Sequence, residues 1–133
     1  MRKRLFAPAL AFVLVLVAGC GSLGLQEPGG FNDRLAYAVG IHTSVVQAST
    51  NALNAHEISS EQADKVLTIA EDSRTALDAA RIAANAGDMS TAEGRLQFIT
   101  AALTSLQTFL RTRDDTALDA ARSNIERAKE PTT

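Results

Sequence analysis

Apolar positions recur along most of this chain at steps of three and four, the period of one face of an α-helix. Leu35, Ala38, Ile41, Val45, Ala48 and Ala52 keep that step through one stretch, and Leu96, Ile99, Leu103, Leu106 and Leu110 keep it through another. Strict strand-like alternation is absent. The pattern predicts an all-α domain with helices over about 32–55, 60–86 and 91–111, followed by a short C-terminal helix over about 116–129.

Helix start and stop signals set those limits. Asn32 can cap the first helix, with Phe31 just outside. Ser59 and Gln62 have the spacing of a capping box, in which each side chain satisfies an amide of the first turn. Gly87 tolerates φ > 0 and suits the end of the second helix. Ser90 and Glu93 repeat the box, and Asp114 and Asp115 resemble a further cap. The turns echo one another: NAHEISS (54–60) and NAGDMST (85–91) match in residue type, and TALDAAR occurs at 75–81 and again at 116–122. The two echoes have different periods, 31 and 41 positions, which argues against a regular repeat array, a tetratricopeptide-like one included.

On the second helix the seam is Ala63, Val66, Ala70, Ser73, Leu77, Ala80 and Ala84, mostly small. On the third it is a heptad row of bulky residues, widened to one side by Phe98, Ala102 and Phe109. Leucines against an alanine groove allow close approach, and so broad an apolar face needs two neighbours. Short loops favour antiparallel neighbours. The expected product is an antiparallel three-helix bundle over 31–130, with the short fourth helix packed at one end and 131–133 as a frayed tail.

Before the bundle the pattern changes. Arg2, Lys3 and Arg4 precede an uncharged run from Leu5 to Gly19, the layout of an export signal. That run is shorter than the roughly 20 residues a membrane-spanning helix needs. Val17-Ala18-Gly19-Cys20 resembles the lipobox of bacterial lipoproteins. The resemblance implies a diacylglyceryl thioether on Cys20, cleavage between Gly19 and Cys20, and acylation of the new amino terminus. Residues 1–19 are then a signal peptide and residues 20–30, rich in Gly and Pro, a flexible tether. An uncleaved signal anchor is the alternative, weakened by Pro8 and the glycines after residue 18. More than one acyl chain anchors stably where a single chain does not. Gly21 rather than Asp after Cys20 resembles an outer-membrane address, on the periplasmic face if the host is Gram-negative.

Composition narrows the chemistry. After residue 19 there are ten Lys and Arg against fifteen Asp and Glu, a net charge of −5. An acidic domain without a basic cluster is a poor nucleic-acid binder. Cys20 is the one cysteine, so no intramolecular disulfide forms. His42 and His56 lie fourteen positions apart, ~21 Å along one helix at 1.5 Å per residue, too far to share a metal. Glu57, Asp64, Glu71 and Asp78 recur every seven residues as an acidic stripe, read as a solvated face with Glu61–Lys65, Glu71–Arg74 and Asp78–Arg81 at ion-pair spacing. No nucleophile elbow, phosphate loop, CxxC or HExxH is present. No catalytic residue, metal site or cofactor is expected.

The sequence therefore predicts a lipid-anchored structural or protein-interaction module of the bacterial envelope, not an enzyme. Its contacts would be the membrane, through the acyl chains on Cys20, and a protein partner or a second copy of itself. Phe98 and Phe109 are the candidate contact patch, provided the third helix is not fully covered. One alternative is a small-ligand or divalent-metal carrier using the acidic stripe or an interhelical cleft. The whole chain also resembles small helical lipoproteins of bacterial and prophage-borne genes, through the lipobox, the LQEPGGFNDRLAYA entry and the alanine-rich hairpins. That resemblance implies no activity and adds a phage-derived lysis or exclusion role as a second alternative.

Overall fold

Ser59 accepts a hydrogen bond from the Gln62 amide at 3.1 Å, and the Gln62 side chain accepts one from the Ser59 amide at 3.1 Å. This reciprocal pair starts the second of four helices in a computed structural model that describes residues 29–130. The helices are α1 (Phe31–Asn54), α2 (Ser60–Asn85), α3 (Met89–Thr112) and α4 (Asp115–Lys129), and no strand occurs among the described residues. Each expected helix is present within one or two residues of its expected limits.

Two caps differ from expectation. α1 begins one residue early, behind Gly30 in extended conformation, and no side chain caps it. Asn32 lies inside the helix instead. At α3 the cap is Asp88, whose carboxylate accepts from the Thr91 amide at 3.1 Å, so Ser90 falls within the first turn. A carboxylate at that site also meets the positive end of the helix dipole, an advantage a serine hydroxyl lacks. Glu93, released from capping, pairs with Arg34 of α1 at 2.7 Å.

The echoed heptapeptides adopt one turn geometry. After α1, the His56 amide donates to the Leu53 carbonyl and the Glu57 amide to Ala52. After α2, Gly87 donates to Ala84 and Asp88 to Ala83. Both are the paired bonds of a Schellman motif, with His56 (φ 57°) and Gly87 (φ 85°) in the left-handed position. Arg113 (φ 63°) ends α3 in the same region, and Asp114 then caps α4 by accepting from the Thr116 amide at 3.0 Å.

One core joins all four helices. α1 packs on α2 and α3, α4 packs on α2 and α3, and α2 and α3 touch each other; α1 and α4 make no contact. The section is a rhombus with α2 and α3 on its short diagonal. α4 is therefore more than an end cap. Its Leu118, Ala121, Ile125 and Ala128 are all buried. On α3, Leu96, Ile99, Leu103 and Leu106 are buried as the heptad row predicts, but Leu110 is only half-buried while Phe109 is fully enclosed. On α2, Ile69 and Ala76 join the expected seam. In each case α4 draws burial toward its own flank.

α4 is short, and it lies beside only part of its neighbours. Gln62 donates to Asp115 at 3.1 Å, so the starts of α2 and α4 meet. Lys129 bonds Asp72 at 2.9 Å, and the Arg127 guanidinium sits 6.0 Å from the Phe98 ring centroid. Past Asp72 on α2, and before Phe98 on α3, the bundle has three helices.

Two glycines sit inside helices: Gly40 in α1 and Gly94 in α3. A helix-interior glycine costs about 1 kcal/mol relative to alanine. Among the described residues a Cβ at either position would meet nothing within 4 Å, so the packing of the four helices on one another does not require them.

Candidate functional site

The expected lipidation site Cys20, the cleavage junction Gly19–Cys20 and the tether through residue 28 lie outside the described residues, as does the tail 131–133. Gly30, which precedes α1, borders a cleft of about 450 Å³ shared with Phe31, Ala84, Asn85 and Met89. Gly30 therefore leads into α1 at the three-helix end, beside the α2–α3 turn. Among the described residues no helix is long and apolar enough to cross a membrane.

Phe98 and Phe109 form a contact patch only where α3 is left uncovered, and α4 packs against α3. Phe109 is 0% exposed within the core that includes α4, and Phe98 is partly buried beneath Arg127. The fourth helix covers the patch that the widened face of α3 suggested. Ile82 (66% exposed), Val39, Met89, Tyr37 and Leu67 are the large apolar side chains that do face solvent. All but Leu67 belong to the three-helix half.

His42 is half-buried and His56 exposed at its left-handed turn. Among the described residues no group of three or more His, Cys, Asp or Glu is placed to hold a metal ion. The stripe residues Glu57, Asp64, Glu71 and Asp78 are all exposed. Glu61–Lys65 (2.8 Å) and Asp78–Arg81 (3.0 Å) form as their spacing predicts, whereas Glu71–Arg74 is not among the ion pairs of the described residues. Glu57 instead reaches across to Arg113 at the end of α3. A contact between residues 56 positions apart has no local spacing signal.

The titration shifts have local surface causes. The hydrogen bond and charge of Lys65 hold the Glu61 carboxyl below its ordinary range, and Glu61 raises Lys65 in return. Asp72 raises Lys129. Hydrogen bonds from Thr91 lower Asp88, and those from Thr116 lower Asp114. These are caps and exposed ion pairs. None couples two groups inside a cleft, the arrangement that proton-transfer chemistry uses.

Charge is distributed unevenly over the surface. α2 and α4 carry charged residues along their whole length. α1 has none between Arg34 and the Glu57 of the following turn, and α3 has none between Arg95 and Arg111. Since α1 and α3 pack side by side, their outer surfaces form one uncharged face. Sequence reasoning missed it; the signal was the missing Asp, Glu, Lys and Arg in two separate stretches, which acquire meaning only once those stretches are adjacent. Two shallow clefts follow that face: one of about 740 Å³ between Arg34 and Thr104, and one of about 290 Å³ bordered by Ser44, Ala48, Gln107 and Leu110.

Compared with protein-family models, curated proteins and solved structures, the chain matches none of them.

Proposed function

We propose that this chain is a lipid-tethered helical module of the bacterial envelope that holds a protein partner at the membrane. The observation that carries this reading is Val17-Ala18-Gly19-Cys20, set directly after a basic start and an apolar run. Acylation at Cys20 would restrict the domain to the membrane plane, which raises the effective concentration of any partner confined there. The entry of the tether at one end of the bundle supports the reading, because it leaves the long sides of the helices free for lateral contact.

The helices are read as alternating up and down, three long and one short. Arg34–Glu93 joins the first turns of α1 and α3, and Glu57–Arg113 joins the turn after α1 to the end of α3. Both pairs fit α1 and α3 pointing the same way with α2 reversed between them.

The test is the mass of the protein purified from a bacterial envelope fraction. The expected species lacks residues 1–19 and carries a diacylglyceryl thioether on Cys20, and Cys20→Ser abolishes both changes. An unmodified thiol on an intact chain overturns the reading.

A further inference from the structure

We propose that the three-helix end of the bundle docks on the surface of a zwitterionic lipid bilayer. The inference rests on the reading of the chain as membrane-tethered and names the surface that this end meets. Three apolar side chains stand in the terminal turns here: Phe31 in the first turn of α1, Ile82 in the last turn of α2 and Met89 at the start of α3. Ile82 is 66% exposed and Met89 41%, and half-buried Phe31 borders the same cleft as Met89. Ile82 lies three residues before the end of α2, a depth of ~4.5 Å at 1.5 Å per residue. Exposed Tyr37 lies six residues after the start of α1, a depth of ~9 Å. The boundary between headgroups and acyl chains accepts apolar side chains to a depth of about 5–10 Å. Tyr37 then stands at headgroup level, where amphipathic rings are favoured.

The opposite end lacks this character. Its turns carry Glu57, Arg113, Asp114 and Asp115, and Ile58, in the turn after α1, is enclosed. The two ends of one small domain therefore differ in kind, and the apolar one is the end at which Gly30 leads into α1.

The chain before Gly30 selects lipid as the occupant. Ten positions separate Cys20 from Gly30, at most ~35 Å of extended chain, and the uncharged run from Leu5 to Gly19 precedes them. A surface held on so short a linker meets the bilayer at an effective concentration of about millimolar order. A few apolar side chains are then enough, where a free domain would need more. Charge selects the lipid. Anionic headgroups attract basic clusters, and this end has none. Arg34 pairs with Glu93 and Arg81 with Asp78, while Asp33 and Asp88 outnumber Arg95. An end-on seat also leaves the long sides of the helices open to a protein partner.

The chain contains no tryptophan, so a single one reports on its own surroundings. The test places the full chain, purified from a bacterial envelope fraction, in phosphatidylcholine vesicles with and without brominated acyl chains. The emission of Ile82→Trp should shift to shorter wavelength and fall by at least half with brominated lipid. That of Ser60→Trp, at the opposite end, should stay unchanged. Met89→Asp added to Ile82→Trp should abolish the quenching with little change in melting temperature, because an acidic group suits the first turn of a helix. A chain that floats with the vesicles while Ile82→Trp goes unquenched overturns the docking and leaves the tether. Equal quenching of both reporters, or quenching that appears only when phosphatidylglycerol is added, also overturns the proposal. Quenching of Ile82→Trp alone in a chain with unmodified Cys20 supports the docking and overturns the acyl tether. A chain that does not float with the vesicles overturns both.

Discussion

Around Phe109 the bundle is four helices thick, and around Gly30 it is three. In the thick half Leu103, Leu106, Phe109, Leu118 and Ile125 close on one another with no more than 5% exposure. In the thin half Ala38, Ala76, Ala80 and Ala92 are enclosed beside Leu77 and Leu96, and Ile82 and Met89 face solvent. The difference shows where a small domain without disulfides keeps its stability. A fourth helix of fifteen residues is enough to build one dense half, and the other half does without it.

The largest effect that can break this contrast is in the thick half. Phe109→Ala should cost about 3–5 kcal/mol in denaturant melts, the usual loss for an enclosed aromatic. Ile82→Ser, in the thin half, should change stability by less than about 0.5 kcal/mol, as exposed substitutions do. Equal effects would remove the distinction. Next is Leu103→Ala, at about 2–5 kcal/mol; a loss below half a kcal/mol would show that this leucine is not core.

The turns at the two ends then sharpen it, because one geometry holds histidine at the thick end and glycine at the thin end. The left-handed conformation costs a residue with a Cβ roughly 1–2 kcal/mol. Gly87→Ala should therefore lower stability by about 1 kcal/mol, whereas His56→Gly should raise it by up to about 1 kcal/mol, with the greater chain entropy of glycine subtracting from the gain. Thermal melts of both variants read the opposite signs.

The smallest effect is in acid. The folded pKa values of Asp88 and Asp114 lie below the ordinary 3.8. Their contribution is therefore fully present above that value and is lost as pH falls through the lowered one. Asp88→Asn at the thin end and Asp114→Asn at the thick end should each flatten the fall in melting temperature below pH 4. A variant whose acid profile matches the parent's would show that its carboxylate contributes nothing to the transition.

Local chemistry made much of this fold legible. Ser59 and Gln62 announce their cap because both partners lie within one turn, and the echoed heptapeptides announce a shared geometry through Ala-Xaa-acid triplets. Asp88 displaced Ser90 because two acceptors competed for one helix start, and spacing alone does not rank them. Phe109 looked like a surface anchor because α3's broad face was visible while the covering role of α4 was not. α4 buries only Leu118, Ala121, Ile125 and Ala128, a stripe too sparse to announce a core element. The uncharged face was harder still, since its halves lie some sixty residues apart in the chain.

Because α4 touches α2 and α3 but never α1, it can leave without parting the other three. Amide hydrogen exchange should therefore fall into two tiers: α4 protons would exchange through a sub-global opening that lifts it away, and those of α3 through global unfolding. Such an opening would uncover Phe109 for a moment, making that intermediate the species most prone to unwanted association.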